Sequence, residues 1–243
     1  FRVLANASGF KTNWVPMDNY HHNLDAMASK INDKTKVIYL ANPDNPTGTF
    51  FTKKVFEKFM KSVPSRVIVL LDEAYFEYAC HIEDYPDSMH YRYDNVITLR
   101  TFSKAQGLAG FRVGYGFADK QLIENLMKVK LPFEPSSLGQ YAACIAMDDD
   151  EHLVNSIKMN NSEKLRLKQF FEDVNLSYIP SATNFITLEF KSEDIASNFC
   201  NSLLKRGVIL RHLISFGLPN CVRITVGLPE ENDFLIRNIK ELI

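Results

Sequence analysis

The chain has 243 residues, of which 46% are hydrophobic and 12% aromatic, a composition typical of a globular protein with a substantial core. Its 28 Lys and Arg residues nearly balance its 29 Asp and Glu residues, so the net charge of −1 points to neither a nucleic-acid nor a membrane-surface partner. The longest apolar runs have the length of strands, which argues against a membrane span.

The cysteines and the start of the chain bear on its cellular location. The four cysteines are far apart and form no CxxC pair, which is typical of reduced, mostly buried thiols in a cytosolic protein. The chain opens at Phe1 without an initiator methionine or a secretion signal, and its first stretch, FRVLANASGFKTNWVPMD, reads like the interior of a domain. We therefore expect a cytoplasmic protein from which an N-terminal portion is missing.

Strand-like and helix-like segments alternate in the first half of the chain. Apolar, β-branched runs predict four strands, over residues 37–43, 66–75, 95–104 and 111–118. Amphipathic stretches between and after them predict two helices, residues 52–63 with Thr52 as N-cap and residues 119–130 with Asp119 as N-cap. Such alternation predicts a mostly parallel sheet with helices on both faces.

The pattern changes after about Pro135. Helices are predicted over residues 138–147, 151–173 and 192–206 and from Pro229 onward, and strands over residues 184–190, 208–212 and 221–227. Three strands and two helices after a long connecting helix predict a smaller α+β domain. We predict three units: a large domain over residues 1–155, a connecting helix over 156–174 and a small C-terminal domain over 175–243.

Three polar motifs follow consecutive predicted strands of the first half. They are NPDNPTG (42–48), DEAY (72–75) and TFSK (101–104). Ligands of open α/β sheets bind beyond the carboxyl ends of the strands. We therefore expect the three motifs to form one site.

Lys104 is the candidate for covalent chemistry in this site. A lysine forms a Schiff base only as the free amine, which requires a desolvated position. Ser103 and Arg112 place a hydroxyl and a guanidinium nearby, and together they can hold a phosphate. The glycines that follow Lys104 match neither GxxxxGK[ST] nor GxGxxG, so nucleotide binding is unsupported.

Asp72 ends a strongly apolar strand, where a carboxylate is costly unless it meets a cation. A protonated pyridine nitrogen, as in a pyridoxal cofactor, would supply one; the alternative is an aspartate that caps the following turn. The adjacent Glu73 is expected to be solvated or structural. Tyr75 and Asn45 could bond the phenolic oxygen of such a cofactor, although each alone is more often structural.

The motifs taken together resemble the fold-type-I, pyridoxal-phosphate-dependent aminotransferases, and within them the histidinol-phosphate aminotransferases. The matching stretches occur in the family's order and cover nearly the whole chain: NPDNPTG (42–48), DEAY (72–75), TFSKAQGLAGFRVGYG (101–116), PSATNFITLEF (180–190) and RHLISFGLPNCVRITVG (211–227). The resemblance implies an α/β fold with a large domain and a smaller α+β domain. It also implies pyridoxal 5′-phosphate as the cofactor.

The resemblance implies a role for each matching position of the large domain. Lys104 would carry the cofactor and move the substrate's Cα proton. Ser103 and Arg112 would hold the cofactor phosphate. Thr101 either helps to hold the phosphate or has only a structural role at the end of its strand. The ring would be held by the remaining positions: Asp72 at the pyridinium nitrogen, Tyr75 and Asn45 at the ring oxygen and Ala74 against one ring face.

Further implied roles concern the substrate. Arg223 would grip the α-carboxylate, with Asn45 beside it, and Arg211 would lie near the substrate's distal phosphate or the glutamate side chain. Gln106 stands where the family commonly has an aromatic residue, which suggests a packing change near the lysine. The family's N-terminal third, which supplies further cofactor contacts, has no counterpart here.

The implied activity is transamination between glutamate and imidazole-acetol phosphate, with histidinol phosphate as the product, by a homodimer acting on small molecules. An aromatic-amino-acid aminotransferase and a threonine-phosphate decarboxylase share these motifs and remain alternatives. A degenerate, non-enzymatic interaction module is a third, against which the presence of Lys104, Asp72 and Arg112 argues. The histidines show no metal-ligand spacing, so no metal is expected.

Overall fold

The structure is a computed structural model that describes residues 2–243. Its first sheet has four strands in sequential order: β1 (Val37–Ala41), β2 (Ile68–Asp72), β3 (Val96–Thr101) and β4 (Gly114–Ala118). Strands β1 to β3 are parallel, and β4 runs antiparallel to β3. The expectation of a mostly parallel sheet is confirmed, with the fourth predicted strand as its antiparallel edge.

From residue 2 onward, the first half of the chain contains six α-helices: α1 (Arg2–Ala7), α2 (Leu24–Ser29), α3 (Lys53–Met60), α4 (Phe76–Ala79), α5 (Lys120–Val129) and α6 (Ser137–Met147). Three of them, α3, α5 and α6, were predicted. The caps of α3 and α5 are also confirmed, since the side chains of Thr52 and Asp119 accept hydrogen bonds from backbone amides of their first turns. Helices α1, α2 and α4 are too short to give a helical repeat, so the sequence did not predict them.

The core of the first sheet lies between β1, β2 and the helices α2 and α3. Apolar residues of all four elements form one buried cluster, which includes Leu24, Leu40, Phe56 and Leu71. The consecutive apolar residues of β1 and β2 therefore bury much of both strands, as parallel strands require. The rigid strands fix where their carboxyl ends lie.

A long helix, α7 (Asp150–Asp173), connects the first sheet to the second. The second sheet has the order β5-β6-β8-β7 and is antiparallel throughout. Its elements in chain order are β5 (Ser177–Ile179), β6 (Phe185–Glu189), α8 (Glu193–Leu204), β7 (Arg211–His212), β8 (Cys221–Thr225) and α9 (Pro229–Lys240).

Two predictions for this half were wrong. The second sheet has four strands instead of three, because β5 is only three residues long and gives no readable alternation. Strand β7 contains only Arg211 and His212, whereas the sequence predicted residues 208–212. Val208 packs into the core of this half and Ile209 is exposed, outside the sheet.

The two sheets meet where β6 begins. The Phe185 ring packs edge-on against the Tyr75 ring at 5.4 Å between centroids. The Ala182 amide donates to the Gly48 carbonyl at 2.8 Å, and the Thr187 hydroxyl donates to the Pro46 carbonyl at 2.6 Å. The loop after β1 is thereby fixed against the start of β6.

All four cysteines are free thiols, as expected. The expectation that most are buried was wrong, because Cys80 and Cys144 are exposed and only Cys221 is buried. Cys144 lies on α6, a helix that buries few of its side chains. Within residues 2–243, no helix is both long and apolar enough to cross a bilayer.

Candidate active site

The three polar motifs converge at one edge of the first sheet. Asp72 pairs in register with Ala41 of β1 and with Leu99 of β3, so the three strands end nearly level. Backbone hydrogen bonds continue past the strand ends, from the Asn42 amide to the Asp72 carbonyl at 2.9 Å and from the Glu73 amide to the Leu99 carbonyl at 2.8 Å. The predicted meeting of the motifs is confirmed.

The loop after β1 is held by its own side chains and presents Asn45. Asp44 accepts hydrogen bonds from the Thr47 amide at 3.1 Å and from the Thr47 hydroxyl at 2.9 Å. Gly48 turns the chain with φ of 80°, a left-handed conformation that favours glycine. Asn45 remains exposed, and its amide nitrogen lies 3.4 Å from the Tyr75 hydroxyl.

Both carboxylate oxygens of Asp72 accept a hydrogen bond. Oδ1 accepts from the Ala74 amide at 3.1 Å, so Asp72 does cap the turn after β2. Oδ2 accepts from the Tyr39 hydroxyl at 2.5 Å. Tyr39 was not predicted as a site residue; a hydroxyl within the otherwise apolar run of β1 was the only signal for it.

Lys104 lies half-buried in the turn after β3, where its Nζ is 5.1 Å from the centroid of the Tyr75 ring. Burial lowers the pKa of Lys104, and the positive charges of Arg223 and Arg112 lower it further, against the opposing effect of Asp72. The fold thus brings these charges from both sheets close to one amine. A lysine with a lowered pKa is a better nucleophile near neutral pH.

The residues predicted to hold a phosphate, Thr101, Ser103 and Arg112, lie at the end of β3 and in the segment that leads to β4. Thr101 Oγ1 accepts from the Ser103 amide at 3.1 Å and lies 3.5 Å from the Val113 carbonyl, a structural role. Arg112 is exposed, adopts φ of 54° and donates to the Ala109 carbonyl at 2.8 Å. Among the described residues, no hydrogen bond joins Ser103 to Arg112, so their phosphate role stays a prediction.

The two arginines of the second sheet differ in position. Arg223 of β8 donates from Nη1 to Asn45 Oδ1, while its buried Nε has no hydrogen-bond partner within residues 2–243. Burial lowers the pKa of Arg223, as does the nearby Arg211, while Tyr75 opposes them. Arg211 of β7 is exposed and lies 3.4 Å from Ser215 Oγ, so its predicted role has weaker support.

Behind the site lies a buried ion pair that was not predicted. Glu73 is fully buried and therefore structural, not solvated; its Oε2 lies 2.8 Å from Arg100 Nη2 and accepts from the Ser88 hydroxyl at 2.8 Å. Arg100 also contacts Asp87 at 3.2 Å, and its guanidinium lies 3.3 Å above the Phe76 ring. This network fixes the turn that carries Asp72.

Two remaining positions border the lysine turn. Ala74 is partly buried in a cluster with Tyr75 and Ala105. Gln106, the departure from the family pattern, donates to Glu77 Oε1 at 3.1 Å, which replaces aromatic packing with a polar contact. In the part of the chain that the structure describes, no three His, Cys, Asp or Glu side chains cluster as a metal site would require.

Comparisons with known proteins identify the family. Histidinol-phosphate aminotransferase 2 of Carboxydothermus hydrogenoformans is 43% identical over 231 residues, which cover 94% of this chain and 63% of the relative. Its counterpart of the same name in Pseudomonas fluorescens is 40% identical over 245 aligned positions, covering 100% of this chain and 65% of the relative. The chain therefore spans slightly less than two thirds of the length of these relatives.

A solved structure agrees with these matches. Histidinol-phosphate aminotransferase from Sinorhizobium meliloti, in complex with pyridoxal-5′-phosphate, superimposes with a TM-score of 0.92 at 28% identity, over 100% of this chain and 68% of that one. The family model for aminotransferase class I and II matches residues 1–239. The fold is that of the fold-type-I aminotransferases, and the chain belongs to the class I and II aminotransferase family.

Proposed function

We propose that this chain provides the lysine site of a pyridoxal-phosphate-dependent aminotransferase that acts on glutamate and imidazole-acetol phosphate, giving histidinol phosphate. The observation that carries the proposal is Lys104, a half-buried lysine with a lowered pKa, 5.1 Å from the Tyr75 ring in the same site as Asp72 and Arg223. The names of the relatives at 40% to 43% identity support the choice of substrate.

The residues present fit the cofactor. Lys104 offers an amine for covalent attachment, and Asp72 is a carboxylate with capacity for a further hydrogen bond beyond the two it accepts. Tyr75 and Asn45 would bond the ring oxygen, and Ser103 and Arg112 the phosphate. Pyridoxal phosphate, when bound, supplies an electron sink for the carbanion that transamination requires.

The chain's own residues then position the substrate and move its proton. Arg223 has a buried Nε without a hydrogen-bond partner among residues 2–243, and this donor suits a substrate carboxylate. Lys104 Nζ, once released from the cofactor, would take the proton from the substrate Cα, a task for an amine with a lowered pKa. Arg211, near the rim, would face the distal phosphate.

We also propose how the protein is divided into domains. A large domain over residues 1–155 would bind the cofactor, residues 156–174 would connect, and residues 175–243 would form the small domain. In support, the C-terminal part of α7 packs into the core of the second sheet, whereas Leu153 and Ile157 pack near Tyr75. We further propose a cytoplasmic homodimer, as the family resemblance implies.

Substrate-dependent absorbance tests the function. Protein expressed from its complete reading frame is loaded with pyridoxal phosphate, and the visible band of the lysine-bound cofactor is followed after histidinol phosphate or phenylalanine is added in separate cuvettes. Rapid loss of the band with histidinol phosphate only is the expected result. A preference for phenylalanine would indicate an aromatic aminotransferase. Release of carbon dioxide from threonine phosphate would indicate a decarboxylase, and the absence of any band would indicate a non-enzymatic module.

A further inference from the structure

Tyr39 of β1 reaches the candidate cofactor site through its contact with Asp72. In the parallel register Tyr39 pairs with Leu70, and Asp72 lies two residues further along β2. Residues two apart on a strand share a face and are about 7 Å apart along it. The tyrosine side chain spans this distance, and its hydroxyl donates to Asp72 Oδ2 at 2.5 Å.

The second oxygen of the same carboxylate is held by the backbone, because Oδ1 accepts from the Ala74 amide at 3.1 Å. With one fixed donor on each oxygen, the carboxylate plane of Asp72 has little freedom to rotate. An ionised carboxylate offers about four acceptor positions, so further positions remain for a ligand cation. The hydrogen bond from Tyr39 thus restrains the Asp72 carboxylate without occupying all of its acceptor positions.

The hydroxyl of Tyr39 keeps its proton in this environment. Burial raises the pKa of Tyr39 well above its ordinary value, and the neighbouring Asp72 raises it further, since a phenolate beside a carboxylate would be repelled. Tyr39 is therefore a permanent donor at ordinary pH.

We propose that Tyr39 is a positioning residue that aims the Asp72 carboxylate at the ring nitrogen of the cofactor. The inference rests on the proposed function, because it requires a pyridine ring in the site. In this role Tyr39 acts on the cofactor through its hydrogen bond to Asp72. Its effect passes through Asp72 and therefore depends on the ring having a nitrogen that can be protonated.

That dependence gives the test. Cofactor affinity is measured for the wild type and for Tyr39→Phe, in protein from the complete reading frame, with pyridoxal phosphate and with its 1-deaza analogue, in which carbon replaces the ring nitrogen. Losing one hydrogen bond to a charged group should weaken pyridoxal phosphate binding by about 10-fold, with little change for the analogue. The ratio of the two affinities distinguishes a positioning role from general damage to the fold, because such damage would lower both affinities alike.

Tyr91→Phe is the matched control, because the buried Tyr91 hydroxyl has no hydrogen-bond partner within residues 2–243. Its affinity ratio should equal that of the wild type. Tyr39→Leu, which also lacks the hydroxyl and suits an apolar strand, should reproduce the changed ratio if Tyr39→Phe folds poorly. If the affinity ratio is unchanged in both Tyr39 variants and the wild type shows the cofactor band, the role of Tyr39 is overturned and the proposed function is upheld. If the wild type binds no cofactor, both the role of Tyr39 and the proposed function are overturned.

Discussion

Arg223 of β8 donates a hydrogen bond from Nη1 to Asn45 Oδ1 in the loop after β1, and so joins the two sheets across the site. Asn45 in turn lies 3.4 Å from the Tyr75 hydroxyl. One arm of the guanidinium is therefore held by the protein, while the buried Nε has no partner among the described residues. A guanidinium fixed in this way is oriented before a substrate carboxylate arrives.

Replacing Arg223 with lysine should weaken substrate binding more than cofactor binding. Lysine keeps the charge but loses the planar fork, in which separate nitrogens can donate to Asn45 and to a carboxylate at the same time. We expect KM for the amino-acid substrate to rise by about 10- to 100-fold, the equivalent of one or two charge-assisted hydrogen bonds. Arg237→Lys, on the exposed face of α9, is the control and should leave KM unchanged.

Gly48→Ala should destabilise the contact between the sheets. A Cβ at Gly48 would lie 2.3 Å from Ser181 Oγ and 2.7 Å from Ser181 Cβ, and φ of 80° is itself unfavourable for alanine. Gly207 has a similar φ of 84° with nothing within 4 Å of an added Cβ, so Gly207→Ala isolates the backbone cost.

We expect Gly207→Ala to lower the free energy of unfolding by about 1 kcal/mol and Gly48→Ala by about 3 kcal/mol, the difference being the steric overlap. Urea unfolding of both variants measures this difference. Equal losses would show that the loop after β1 is not tightly fixed against residue 181.

Glu73 should make stability depend on pH. Burial raises the pKa of Glu73 to about 7 from an ordinary value of 4.5, although Arg100 and Ser88 favour the ionised form. Between these two values the folded protein retains a proton that the unfolded chain has released. Stability should therefore fall as pH rises through this range, by up to about 3 kcal/mol from this one group.

Glu73→Gln removes the titrating group while keeping its shape. Urea unfolding of wild type and variant at about pH 5 and about pH 8 gives the difference attributable to Glu73. The expected outcome is a steeper fall for the wild type. Parallel behaviour of the two proteins would mean that Arg100 keeps Glu73 ionised throughout.

Removing a neighbouring charge should raise the pKa of Lys104. Arg112 is one of the positive groups that lower it, so Arg112→Gln should move the ionisation of Lys104 to higher pH. The pH dependence of amine labelling at Lys104, measured by peptide mass spectrometry in cofactor-free protein, reports this change, with the exposed Lys30 as an internal reference. An unchanged or lower midpoint would contradict the electrostatic account.

Elements with long local patterns were predicted from the sequence, whereas contacts that depend on the register between strands were not. The strands β1 to β3 have continuous apolar runs, and the polar motifs after them were placed correctly at one edge of the sheet. Strand β5 is too short to give a period-two pattern. Tyr39 could not be assigned to the site, because its contact with Asp72, 33 residues away in the sequence, follows from the pairing of two strands.

The buried pair of Glu73 and Arg100 was missed for the same reason. A glutamate beside Asp72 is more often solvated, and only the alignment of β2 with β3 brings it to Arg100. Strand β4 pairs antiparallel with β3, and the connection between them contains a 3-10 turn at Ala109–Phe111; the apolar pattern alone does not reveal this direction.

Trapping the cofactor on its lysine identifies the residue that carries it. Protein from the complete reading frame is loaded with pyridoxal phosphate, reduced with borohydride to make the linkage permanent, and mapped by peptide mass spectrometry, with Lys104→Ala as the control. We expect a single modified residue, Lys104, and loss of the visible band in the control. Modification of another lysine, or none at all, would contradict it.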